Sequence, residues 1–77
     1  MALSLFKGPF ESAGCTHEGD GWVTTDLQRG ERVKWLPGKK QALRWDVTEN
    51  QWLPSTETRN QFLSIARHYQ ASIRSKK

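Results

Sequence analysis

The chain has 77 residues, a formal net charge of +4, four Trp, three Phe, one Tyr and a single cysteine. That length holds one domain, and a lone thiol excludes an intramolecular disulfide, so packing must supply the stability. No stretch approaches the roughly 18 apolar residues of a membrane span and there is no Cys/His set for zinc, so neither a membrane role nor a cofactor is expected.

Residues 1 to 20 show no sustained periodicity and are rich in small side chains. They read as an irregular N-terminal arm, with a short extended piece near residues 3 to 6 and with Phe6 and Phe10 as anchors. Lys7, Gly8 and Pro9 break the opening apolar run, so no signal peptide is expected. A free thiol without disulfides fits a reducing compartment, and the cytoplasm is the expected location.

A single α+β domain is expected over residues 21 to 77. Residues 22 to 27 are aromatic and β-branched between Gly-containing turns, which predicts a strand. Residues 31 to 36 and 41 to 47 alternate, with Val33 and Trp35, then Leu43, Trp45 and Val47, at odd positions. If those residues share the core face, the connecting loop must hold an odd number of residues, and Arg32, Lys34 and Arg44 share the open face. Within that loop, Leu36-Pro37-Gly38-Lys39 suits a type II turn with positive φ at Gly38. Residues 51 to 53 form a possible fourth strand ended by Pro54.

A helix is predicted over about 56 to 75. Ser55 is one candidate N-cap, and Thr58 with Gln61 is another, as a capping box. Phe62, Ile65, Ala66, Tyr69 and Ile73 fall on about one third of the circumference. The expected fold is a small antiparallel β-sheet of three or four strands packed on one C-terminal α-helix. No internal repeat is apparent.

The charge is uneven. Residues 1 to 28 carry Lys7 against Glu11, Glu18, Asp20 and Asp26, whereas residues 29 to 44 carry six cations against Glu31 alone. From Thr58 onward there is no acid, but there are Arg59, Arg67, Arg74, Lys76 and Lys77. Clustered positive charge offers an anionic partner a docking place.

Catalysis has little support. Cys15-Thr16-His17 places a thiol and a base together without an orienting third group, and His17 to Asp20 lacks a helical metal-binding spacing. His68 reads as an exposed, non-catalytic residue on the polar flank of the helix. The chain is therefore expected to be a non-enzymatic binding protein, monomeric or homodimeric.

Nucleic acid is the expected partner, DNA ahead of RNA. Arg32, Lys34 and Arg44 on the sheet, Lys39 and Lys40 at the hairpin tip, and Arg59 and Arg67 on the helix are the candidate contacts. Trp22 and Trp52 are candidate aromatic contacts, while Trp35 and Trp45 are expected in the core. The rival reading is a small protein–protein interaction module, such as an inhibitor of a larger complex of phage or mobile-element type. The acidic arm beside a basic sheet and exposed Trp favour it.

Overall fold

The computed structural model describes residues 8 to 75. In chain order they form α1 (Gly8–Ser12), β1 (Thr16–Glu18), β2 (Gly21–Asp26), β3 (Glu31–Leu36), β4 (Gln41–Asp46), β5 (Gln51–Ser55) and α2 (Arg59–Ser75). The strands make one antiparallel meander in sequence order, with α2 packed across one side. The α+β class holds, with five strands in place of three or four.

The additional strand comes from the arm, where β1 pairs Thr16 with Val23 and Glu18 with Gly21. Between α1 and β1 the arm is irregular. At the opposite edge, β5 runs through Pro54 to Ser55, because an edge strand tolerates a residue with no N–H to give. Phe10 anchors the arm as expected, buried against Trp22 at 5.8 Å and Phe62 at 5.9 Å between ring centres. The extended piece at residues 3 to 6, the Phe6 anchor, and Lys76 and Lys77 lie outside the described residues.

The hairpins are built to one pattern. β2, β3 and β4 each span six residues, followed by a loop of four, so strands begin at 21, 31, 41 and 51. The repeat lies in the backbone, although the side chains hide it. The fourth residue of each loop is left-handed: Gly30 at φ 68, Lys40 at φ 52 and Asn50 at φ 57. Asp26 and Asp46 open two of these loops, accepting N–H bonds from Gln28 at 3.0 Å and from Thr48 at 2.8 Å. The chain also turns at Pro37-Gly38, where Lys39 N donates to Leu36 O at 3.2 Å. The turn is not type II, because Gly38 has no positive φ and Lys40 takes the left-handed position instead.

A four-residue loop pairs odd residues with even ones, so Val33 faces Arg44 and Trp35 faces Ala42. This overturns the expected odd-length loop, and with it every side assignment on β4. Trp22, Thr24, Asp26, Val33, Trp35, Ala42 and Arg44 lie toward α2. Leu43 and Trp45, expected in the core, lie on the far side with Arg32, Lys34 and Trp52. Val47 belongs to the β4–β5 loop and is 82% exposed.

The core joins Val33, Trp35 and Ala42 of the sheet to Phe62, Leu63 and Ala66 of α2, with Phe10, Ala13 and Cys15 closing one flank. That flank draws the buried stripe of α2 toward Leu63, leaving Ile65 and Tyr69 half-buried and Ile73 exposed. The helix begins at a capping box. Thr58 N donates to Gln61 Oε1 at 2.8 Å, and Gln61 N donates to Thr58 Oγ1 at 3.2 Å. Thr58 rather than Ser55 is therefore the cap.

Two glycines make a direct test of this packing. A Cβ at Gly21 would lie 2.5 Å from the carbonyl oxygen of Trp35, whereas one at Gly38 would meet nothing within 4 Å. Gly21→Ala is expected to cost about 2 kcal/mol in urea unfolding, and Gly38→Ala to change stability by less than about 0.5 kcal/mol.

Candidate functional site

The residues expected to form one basic face are divided by the strand register. Arg44 is on the side of α2, and its side chain is 14% exposed. Its Nε and Nη2 donate to Glu57 Oε2 at 3.0 and 2.6 Å, Nη1 donates to Glu31 Oε1 at 2.9 Å, and Nη2 donates to Asp26 Oδ2 at 2.9 Å. This candidate nucleic-acid contact thus clamps three carboxylates of its own chain.

The clamp fixes the charge states of its members. Burial alone would lower the Arg44 pKa, but hydrogen bonds to Glu57, Asp26 and Glu31 outweigh it and hold the guanidinium firmly protonated. Burial likewise pushes the Glu57 carboxyl up, yet bonds from Arg44 and Ser55 dominate and leave it below its ordinary value.

On the far side, Arg32 donates to Glu18 at 3.1 Å, and the Lys34 ammonium lies 3.6 Å from Asp20. Both acids belong to the β1–β2 hairpin, so the acidic arm neutralises the sheet it pairs with. The Lys34 side chain is only 15% exposed and also reaches within 5.5 Å of the Trp52 ring centre. Arg29 approaches Glu31 at 3.7 Å.

The two candidate aromatic contacts are engaged as well. Trp22 is half-buried between Phe10 and His17, whose ring centre is 4.7 Å away. Trp52 is half-buried, edge-on to Trp45 at 5.3 Å. His17 itself is exposed beside a buried Cys15, whose thiol burial pushes its pKa up to about 11. No group of three or more potential metal ligands occurs among the described residues.

The remaining cations lie elsewhere. Among the described residues, Lys39, Lys40, Arg59, Arg67 and Arg74 have no carboxylate within ion-pair distance. Arg59 instead lies 5.3 Å over the Phe10 ring. Arg59, Arg67 and Arg74 fall within about 80° of one another around α2 and span about 22 Å of its axis. Lys40 and Arg59 border a common groove of about 550 Å³ with Phe10, Trp35, Pro37, Glu57 and Thr58. Of the candidate site residues, the groove thus brings together Lys40 and Arg59, while Lys39, Arg67, and the sheet residues Arg32, Lys34 and Arg44 do not line it.

Asp26 and Glu57 are the partners of Arg44 that the sequence reading missed, whereas Glu31 was open to it as a carboxylate that relieves the cations of the sheet. A signal was present in the two segments running from Asp26 to Gly30 and from Asp46 to Asn50. Each places an Asp four residues before a Gly or Asn, the signature of a four-residue loop with a left-handed last position. Neither segment is the β3–β4 loop, however, and the length of that loop is what places Arg44 on the helix side.

In comparisons with known proteins, no family model, curated protein or solved structure matches this chain. The fold and the distribution of charge are accordingly the basis for any functional reading.

Removing the Arg44 side chain leaves three carboxylates facing one another, so Arg44→Met is expected to cost about 3 kcal/mol or more. Urea unfolding measures this, and Glu57→Gln in the same chain should recover part of the loss. The depressed Glu57 pKa contributes stability that is present above the ordinary carboxylate value of 4.5 and fades as pH falls through the lower folded-state value. The midpoint should therefore decline below about pH 4.5, and less steeply in Glu57→Gln.

Proposed function

We propose that this is a non-enzymatic nucleic-acid-binding protein that holds a phosphate backbone along the Arg59–Arg67–Arg74 flank of α2 and the Lys39–Lys40 hairpin tip. The observation that carries the reading is the segregation of charge. Arg32, Lys34 and Arg44 are matched by carboxylates of the same chain. The hairpin tip and α2 keep cations without such partners among the described residues, and α2 contains no acid. An unmatched basic row on a helix attracts a polyanion by releasing its counterions, with no demand on base sequence. DNA remains the first polymer to test, ahead of RNA.

The sheet side away from α2 favours a second reading. Leu43, Trp45 and Trp52 lie there half-buried and uncovered by the helix, with the Arg32–Glu18 and Lys34–Asp20 pairs around them. Aromatic residues within a rim of mixed charge suit a protein–protein interaction module, including an inhibitor of a larger complex. Under that reading Leu43→Glu should abolish co-purification of the partner.

Anisotropy titration of a mixed-sequence duplex, a single strand and an RNA hairpin at about 50 and 200 mM salt tests the first reading. Arg67→Ala/Arg74→Ala is expected to weaken binding and to reduce the salt slope by about 2, while Arg32→Ala leaves both nearly unchanged. Absence of binding to all three at low salt would refute it.

A further inference from the structure

We infer that the groove between the β3–β4 loop and the start of α2 receives one unstacked base of a nucleic-acid strand, with the adjoining phosphate beside Lys40 and Arg59. This rests on the nucleic-acid reading above and specifies the ligand further. The groove holds about 550 Å³, and small-molecule sites usually measure about 300–1,000 Å³. Its apolar wall is Phe10, Trp35 and Pro37.

That wall is fixed in advance. Trp35 packs on Phe62 with ring centres 6.3 Å apart, and Phe10 stacks on Trp22. Phe10 and Trp35 are only 9% and 4% exposed. A base therefore meets chiefly the exposed Pro37 and Arg59, which this packed layer backs and which need little ordering on binding. Arg59 adds a planar guanidinium of the kind on which bases stack, held 5.3 Å from the Phe10 ring centre.

Charge selects the rest of the ligand. Lys40 and Arg59 have no carboxylate partner among the described residues. The acid in the groove, Glu57, is already matched by Arg44 at 2.6 Å and by a bond from Ser55. An occupant that joins a flat, weakly polar body to an anion is favoured, and a nucleotide is such a molecule. Arg59 also begins the basic row of α2, so a strand following that row passes the groove. A paired base cannot enter, so the ligand class is a strand end or an unpaired stretch.

Three labelled probes test this by anisotropy at low salt: a blunt-ended duplex of two separate strands with no loop, the same duplex with a three-nucleotide single-stranded extension, and one whose extension is abasic but keeps its phosphates. The extension is expected to tighten binding about tenfold, as for one stacked base, and the abasic extension to lose most of that gain. Pro37→Asp should remove the gain as well. Equal affinity for the blunt and extended probes would overturn the inference and leave the nucleic-acid reading standing. Equal gain from the abasic extension would overturn it too, since phosphate alone would account for binding. No binding by any probe would overturn both.

Discussion

The Arg44 guanidinium ties together the parts of this protein that the rest of the structure depends on. Four hydrogen bonds from its Nε, Nη1 and Nη2 reach a carboxylate at the end of β2, another at the start of β3 and a third in the segment leading into α2. Asp26 serves twice, since its other oxygen accepts the N–H bonds that shape the β2–β3 loop. A charge this far from water is stable only when matched, so the clamp demands the register that brings Val33 opposite Arg44. The same register places Val33 and Trp35 beneath Phe62 and Ala66.

The loops impose the geometry that the clamp needs. Because the three connections between β2 and β5 each have four residues, the core parity alternates from strand to strand: even on β2, odd on β3, even on β4. Both sides of the sheet consequently carry apolar residues. One side is closed by α2. On the other, the long Arg32 and Lys34 side chains lie over the sheet and end on carboxylates of the first hairpin.

This arrangement explains how a chain of net charge +4 acquires a polarised surface. The carboxylates Glu18, Asp20, Asp26, Glu31 and Glu57 are engaged by cations of the sheet and its β2–β3 loop. The excess charge is displaced to the β3–β4 tip and to α2. The basic residues that first attract attention, clustered between 29 and 44, are thus mostly neutralised, while widely spaced arginines of the helix carry the unmatched charge.

The sequence by itself determined the α+β class, the positions of β2, β3, β4 and α2 to within a few residues, and Thr58–Gln61 as one of two candidate caps. These follow from local effects: alternation, helical periodicity, and side chains that bond to their own backbone. Only the tertiary structure decided which residues share a side, because one loop residue more or fewer inverts a whole strand, and a turn can place its left-handed residue at Gly38 or at Lys40. It also decided that the arm contributes β1, since three residues of strand have no periodicity to read. Ion pairing was hidden for the same reason. Arg44 and its partners lie 13 and 18 residues apart, and only the folded sheet brings them together.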